Sequence, residues 1–509
     1  MSRHNVAMYR VTPALPLPLY DVATTRRMES AAAAGLPPHT LMQRAGLAVA
    51  RLAIALAPHA RTVWVACGPG NNGGDGLEAA AHLQRWGHHP VVTWLGNESS
   101  SPPDALASLA TARAAGVTFS DFPPGGLGPD DLCIDAMLGI GATRAPQGRM
   151  AEWFAALNAS PAPILAVDIP SGLNADTGEC TAKTIAKNDH LALGRGQIHA
   201  TNTLTLLSCK PGLFTAHGRD AAGAVWFDDL GVTGTTEPPC AQLNVPPAAT
   251  RRPHASHKGS HGDVAVIGGE GAGARGMGMT GAALLASTAA LYGGAGRVLV
   301  NLLDDGALTL AASQPELMMR SLDALDLRVL TVVCGCGGGQ AVRAVLPRVL
   351  SQSLQLVLDA DALNAIADDS SLRILLQQRS ARDLATVLTP HPLEAARLLG
   401  SSADAVQADR LAAARRLSSD LRCVVVLKGS GTVIAAPGEK LAINPTGNPL
   451  LGTAGTGDVL AGLLGARLAA GNQPFTAACS AVYQHGAAAD VWPANQGLTA
   501  SALARRLTA

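Results

Sequence analysis

Nine consecutive residues, Gly68-Pro69-Gly70-Asn71-Asn72-Gly73-Gly74-Asp75-Gly76, join glycines to two amides and a carboxylate. They follow a short apolar run, Thr62 to Cys67, that predicts a buried strand. Glycines let main chain approach a ligand, and N–H groups at a helix start cradle phosphate. Asn71, Asn72 and Asp75 add side-chain oxygens and donors. The plainer reading is a tight turn in which Asp75 caps the next helix. Two more strand ends carry polar groups. Asp135 leads into Gly139-Ile140-Gly141-Ala142-Thr143-Arg144-Ala145, and Asp168 into Ile169-Pro170-Ser171-Gly172. Ligands of open α/β sheets sit at the carboxyl ends of parallel strands, so the three clusters are expected to converge. Oxygen donors without His or Cys suit a hard cation.

A second set lies near the other end. Ala454-Gly455-Thr456-Gly457-Asp458 opens an apolar helix. Backbone N–H groups of Gly455, Thr456 and Gly457 there form an anion hole, suited to charge on a transferring phosphoryl group. Asp458 stands beside it, placed to take a proton from a hydroxyl; a simple helix cap is the alternative. Lys428-Gly429-Ser430-Gly431-Thr432 ends a strand and can hold the phosphates and ribose of a nucleotide, or be a solvated turn. His391 is fixed between Pro390 and Pro392, ahead of Glu394; on its own it reads as a structural loop residue. Asp359 and Asp361 read as structural, with a Mg²⁺ role as the alternative. His254, His257 and His261 crowd together but lack helical spacing, and read as a solvated segment.

The elements that must position these groups alternate. Helices are expected over 40–57, 77–86, 104–115 and 150–158, and strands over 62–67, 91–95, 132–134 and 164–167. Such alternation implies βαβ units and a parallel sheet. Residues 236–253, rich in proline, read as a linker between 1–235 and 254–509. The second half restarts with strands over 264–267, 298–302, 329–333, 356–358 and 423–427. Its helices are expected over 280–292, over 404–418 and from 458.

Composition narrows the function. Of 509 residues only 15% are charged, with 38 basic against 38 acidic, and aromatics are scarce. No basic face or stacking platform is implied, so nucleic acid is not an expected partner. Hydrophobic content of 48% argues against disorder. No apolar run reaches the roughly 20 residues of a membrane span. Nine cysteines without a Cys-x-x-Cys pair predict a reduced, cytoplasmic protein. Gly68-x-Gly70-x-x-Gly73 fits a dinucleotide fingerprint, but so does Gly271-x-Gly273-x-x-Gly276, and 55 glycines make chance matches easy. The second strand ends in Leu95-Gly96-Asn97 without the acid a ribose needs. A Rossmann oxidoreductase is therefore disfavoured.

Taken together, GPGNNGGDG, DAMLGIGATR, VDIPSGLNADTG and the Lys-Pro-Gly of 210–212 resemble the NAD(P)HX epimerase domain over roughly residues 18–235. This resemblance implies a Rossmann-like three-layer α/β/α fold and a K⁺ held by Asn72, Asp135 and Ser171. It also implies substrate contacts from Asn71–Asp75, Gly139–Ala145 and Asp168, with Asp168 catalytic. HKGSHGDVAVIGG (257–269), QPELM (314–318), LDADALN (358–364), TPHPLEAARLLG (389–400) and NPTGNPLLGTAGTGDVLAG (445–462) resemble the ribokinase-like NAD(P)H-hydrate dehydratase domain. That likeness implies a second α/β domain, ADP as phosphoryl donor, Mg²⁺, and Asp458 as base. It places Ala283, Gly337, His391 and Asp458 at substrate, and Lys428–Thr432 with Gly457 at nucleotide. Together the halves resemble the bifunctional NAD(P)H-hydrate repair enzymes, whose partners are NADHX, NADPHX and ADP, in a homo-oligomer.

There are departures from the family pattern. Cys336 stands where Gly-Pro-Gly-x-Gly has proline, Leu393 where His-Pro-Gly-Glu has glycine, and Leu450–Thr453 replace Gly-Met-Ala-Thr. Residues 179–199 read as a polar insertion. Two other readings stay open: a small-molecule kinase of the ribokinase-like group, and a first domain that only binds.

Overall fold

The computed structural model describes residues 8–181, 196–248, 252–273, 276–304, 311 and 313–507. Most of the expected insertion, 182–195, lies outside them. The chain divides into two compact α/β units, which change over in sequence between Ala241 and Gln242.

The first unit is built on one sheet. Its strand order is Met8–Arg10, Ala224–Asp228, Asn202–Leu206, Ile164–Val167, Leu132–Ala136, Val63–Cys67, Pro90–Trp94, Thr118–Phe119. Only the Met8–Arg10 edge is antiparallel. Central strands such as VWVAC and ILAV are buried along their whole length, as expected of parallel strands covered on both faces. Val65, Ile134, Leu165 and Val167 pack to one side with Leu52, Leu77 and Leu109. Trp64, Ala66 and Cys133 pack to the other with Trp153 and Phe154. The result is a three-layer α/β/α unit. Val63–Cys67 is flanked by Pro90–Trp94 on one side and Leu132–Ala136 on the other. Strand order therefore reverses there, which opens a crevice at the carboxyl ends.

The glycine string does not form a separate turn. The helix begins at Asn71 and runs to Arg85, with Gly70 as its cap, not at residue 77 as expected. Asp75 lies inside the first turns and is not the cap. Contact dictates the glycines: a Cβ at Gly73 would lie 2.0 Å from the Gly68 carbonyl oxygen, and one at Gly76 would lie 2.6 Å from the Ala136 Cβ.

The second unit is also a mostly parallel sheet. Strands run in the order Met318–Met319, Arg297–Leu302, Asp263–Gly268, Thr331–Cys334, Gln355–Leu358, Thr386–Leu388, Val424–Leu427, and then antiparallel through Val433–Ala435 and Leu441–Ile443. The helix Thr456–Ala469 is apolar nearly all round and buried, as such helices must be. A Cβ at Gly462 would lie 1.9 Å from the Ala286 carbonyl oxygen of the neighbouring helix Thr280–Tyr292. The single helix expected over 404–418 is two, Ala403–Ala408 and Arg410–Leu421, because Asp409 caps the second. Within the expected linker, Ala241–Leu243 is strand. Asn244 is buried, its amide donating to Asn444 Oδ1 at 3.0 Å. No helix among the described residues is long and apolar enough to cross a membrane.

Candidate active sites

In the first unit, the ends of three adjacent strands meet at the crevice. Asp135 is the fourth residue of its strand, paired with Ala66 and Ala166. Its carboxylate is fully buried. It accepts from Ser171 N–H at 2.8 Å, Ser171 Oγ–H at 2.6 Å and Met137 N–H at 3.3 Å. Burial pushes it up to about 6, against the pull of those hydrogen bonds. Among the described residues no cationic group figures among its partners. Asn72 reaches the same region: Gly139 is so close that a Cβ there would sit 3.3 Å from Asn72 Cβ. The Asn72 Nδ2 is buried without a hydrogen-bond partner among the described residues. Turning the amide over would present its oxygen instead. A buried carboxylate without counter-charge beside an unsatisfied amide fits a bound cation.

Asp168 follows the strand Ile164–Val167 with φ +65°. Its Oδ1 accepts from Leu206 N–H at 3.0 Å and from the Lys210 ammonium. Lys210 is wholly buried and also donates to the Leu206 carbonyl at 2.8 Å. A cavity of about 260 Å³ opens beside this pair. Asn71, Asp75, Ile140, Asp168, Lys210 and Glu29 line it. Burial and the Asp168 charge raise Asp75 well above the carboxylate range, and Glu29 less far, with Lys210 opposing both. Three carboxyl groups thus share one cavity with a single ammonium, and mutual repulsion favours keeping a proton among them. Of the expected loop Gly139–Ala145, only Ile140 lines the cavity; Gly141, Thr143, Arg144 and Ala145 are exposed. Sequence reasoning omitted Lys210 and Glu29 as site residues. Lys210 could have been found from its Lys-Pro-Gly motif in a chain with few lysines, but Glu29 carried no signal.

In the second unit, four neighbouring strands deliver Gly335-Cys336, Asp359, Thr389 and Lys428 side by side. The Lys428 ammonium donates to Asp359 Oδ1 at 2.7 Å, as does Thr389 Oγ at 2.8 Å. Burial works to lower Lys428, but Asp359 and Glu394 beside it leave it raised. Far from being a solvated turn residue, its ammonium stands where a Cβ at Gly457 would be 3.3 Å away. It therefore faces the helix N-terminus. Gly455 caps that helix at φ +88°. The N–H groups of Gly457 and Asp458 lie in its first turn, where no intrahelical acceptor exists. Thr456 contributes less than expected: its N–H points to the Thr453 carbonyl at 3.4 Å and its hydroxyl to Leu451 O at 2.8 Å. Asp458 is pushed up to about 7, by burial first and then by Asp359, while Cys336 and Lys428 pull it back.

His391 is the cap of the helix Pro392–Leu399. Its Nδ1 accepts from Leu393 N–H at 3.1 Å, while Glu394 Oε2 accepts the His391 N–H at 2.7 Å. The ring is half-exposed and fixed in place. Gly429 and Ser430 are exposed, and Thr432 Oγ donates back to the Gly429 carbonyl. The fully buried Arg410, missed in the sequence, donates to the Leu427 and Lys428 carbonyls at 3.1 Å and holds that turn. Ala283 is buried in the core. Gly337 abuts Met279, with a would-be Cβ 2.5 Å from the Met279 carbonyl oxygen. Asp361 accepts from Gly339 N–H at 2.8 Å, a structural bond.

Comparison with known proteins matches both units. The family described as YjeF-related protein N-terminus matches residues 38–212, and NAD(P)H-hydrate dehydratase matches 264–508. The bifunctional NAD(P)H-hydrate repair enzyme Nnr of Escherichia coli (strain K12) is 38% identical, over 92% of this chain and 88% of its own. The chain belongs to the bifunctional NAD(P)H-hydrate repair enzymes. Another member, from Coxiella burnetii (strain RSA 493 / Nine Mile phase I), is 34% identical over 93% of this chain and 94% of its own. The ADP-dependent (S)-NAD(P)H-hydrate dehydratase of Neisseria meningitidis serogroup B (strain ATCC BAA-335 / MC58) is 42% identical, over 52% of this chain and 88% of its own. A solved ADP/ATP-dependent NAD(P)H-hydrate dehydratase from Bacillus subtilis is 29% identical, over 51% of this chain and 91% of that one, at a TM-score of 0.40. Within this family, the chain pairs a carboxyl-lined cavity in one unit with a helix start facing the Lys428 ammonium in the other.

Proposed function

We propose that the chain repairs hydrated nicotinamide cofactors in two steps, one in each unit. The first unit interconverts the R and S hydrates, and the second returns the S hydrate to NAD(P)H. Both ring double bonds of a dihydronicotinamide adjoin the ring nitrogen, so added water leaves a carbon bearing both hydroxyl and nitrogen. In the first unit Asp168 takes the hydroxyl proton. The carbon–nitrogen bond opens to a carbonyl and its electron pair goes to nitrogen. Closure on the other face inverts the centre and returns the proton. Asp75 and Glu29, both raised, are the groups that can lend a proton to the nitrogen. Lys210 holds Asp168 in place by donating to its carboxylate. K⁺ would be held by Asn72, Asp135 and Ser171, and would supply the counter-charge the buried Asp135 lacks.

In the second unit Asp458 takes the proton of the S hydroxyl as oxygen attacks the nucleotide's terminal phosphorus. The free N–H groups of Gly457 and Asp458, with Lys428, bear the charge on the transferring group. Phosphate is a far better leaving group than hydroxide, so the phosphorylated hydrate loses phosphate from that carbon and a proton from the adjacent ring carbon, which restores the double bond of NAD(P)H. The turn Lys428–Thr432 serves the nucleotide, and His391 serves the substrate. ADP is the donor, by likeness to the Neisseria dehydratase. Mg²⁺ would neutralise phosphate charge when bound. Asp359 Oδ2 fits it, since the hydrogen bonds to that carboxylate fall on Oδ1. Free cysteines throughout support a reducing, cytoplasmic setting.

The observation that carries this reading is the convergence of Asp458, Lys428 and a helix N-terminus on one point. The test is (S)-NADHX with ADP or ATP. Return of NADH absorbance with ADP is expected, and no return with either nucleotide would overturn it.

A further inference from the structure

Cys336 stands at the heart of the second site. Cys336 is fully buried, in the turn after Thr331–Cys334. Its Sγ and one carboxylate oxygen from each of Asp359 and Asp458 all lie within 4.8 Å of one another. Among the described residues no other three His, Cys, Asp or Glu side chains gather so closely. The donors come from three separate segments: a glycine turn, a strand end and the first turn of a helix. Asp359 is held in position by Thr389 and Lys428, which both donate to its Oδ1, the kind of outer support that orients metal ligands.

Charge favours a divalent ion. A thiolate and two carboxylates carry three negative charges and Lys428 carries one positive, so a divalent cation brings the group to neutrality. Donor type selects which cation: a sulfur ligand favours Zn²⁺ or Cd²⁺ over Mg²⁺. Three protein donors leave a coordination position open. We propose that Cys336, Asp359 and Asp458 form an inhibitory site for a thiophilic divalent cation, Zn²⁺ or Cd²⁺, which blocks dehydration by taking Asp458 as a ligand. On binding, the cation–sulfur bond forms and the thiol proton, with any proton on Asp458, leaves to solvent. No electron is transferred. The site stands on the donor geometry; its inhibitory effect rests on the dehydratase reading above.

The test uses the full chain, freed of metal by chelator and titrated with Cd²⁺. A thiolate-to-cadmium charge-transfer band should saturate at one equivalent and be displaced by Zn²⁺. It should vanish in Cys336→Ser and persist in Cys334→Ser, which removes a buried thiol two residues away. In parallel, (S)-NADHX recovery is compared with and without Zn²⁺ for each protein. Inhibition of about tenfold or more is expected in the wild type and in Cys334→Ser, falling to none in Cys336→Ser, in keeping with the weight of a metal ligand. An equal band in Cys336→Ser overturns the site. A Cys336-dependent band with Zn²⁺-insensitive recovery overturns its inhibitory role. Absence of recovery in every arm contradicts the dehydratase reading instead, and the band alone then decides the site.

Discussion

The wholly buried ammonium of Lys210 donates to the carboxylate of Asp168, a residue held at φ +65° at the end of a central strand. A non-glycine residue in that region costs on the order of 1 kcal/mol or more. The surrounding bonds enforce it: Asp168 N–H donates to Leu204 O, and its side chain accepts from Leu206 and Lys210. The carboxylate is thereby aimed at the cavity it shares with Asp75 and Glu29.

Removing the ammonium while keeping the bulk should expose this dependence. Lys210→Met leaves the carboxylate in place without its cation, which for a buried pair costs about 3–5 kcal/mol. Denaturant unfolding should show that loss in the first unit. Recovery of the S hydrate should stay intact and R-to-S conversion should fail.

Asp458 must be ionised to act as a base, and its site pushes it up to about 7. Below that pH the protonated, inactive form dominates. kcat/KM for the S hydrate should therefore rise about tenfold per pH unit up to about 7 and level off above it. Asp458→Asn should lose about 10²–10⁴-fold and the rise with it. A wild-type profile flat from pH 5 to 8 would count against this assignment.

Asp135 sits at about 6 because burial disfavours its charge. Cation binding needs that charge, so K⁺ affinity should fall as pH drops through about 6, by about tenfold per unit once the protonated form dominates. Thermal stabilisation of the first unit by K⁺ over a bulky organic cation would report it. Asp135→Asn should remove the K⁺ effect, and a melting curve indifferent to K⁺ at pH 8 would remove the site.

Gly455 caps the helix Thr456–Ala469 at φ +88°, and a Cβ there would lie 2.6 Å from Leu285 Cδ1 and 3.0 Å from Ala500 Cβ. Gly455→Ala must shift the helix start and its N–H groups. Loss of tenfold or more in S recovery is expected, since misplaced donors forfeit much of their effect, with epimerisation unchanged.

Much of this was legible in the sequence because glycine-rich strings after apolar runs can go only to strand ends. Gly68–Gly70, Asp135, Asp168 and Lys428 land there, while 455–458 open the helix Thr456–Ala469 that faces Lys428. The start of the helix at Asn71 was not legible, because glycine and asparagine are weak helix formers and their presence reflects contacts with Gly68 and Ala136. The Asp168–Lys210 and Asp359–Lys428 pairs join residues far apart in the chain, and only the sheet order brings them together. Thr456 was overrated as an anion donor, because the local turn at Thr453 claims its N–H. Cys336 was visible as a departure, but its neighbours were not.

The most direct test mixes R and S NADHX with ADP and follows NADH absorbance to completion. The wild type should recover both epimers and Asp458→Asn neither. Asp168→Asn should recover the S half at the normal rate and the R half only at its spontaneous rate. Recovery of both epimers by Asp168→Asn at the wild-type rate, or none by the wild type, would contradict the account.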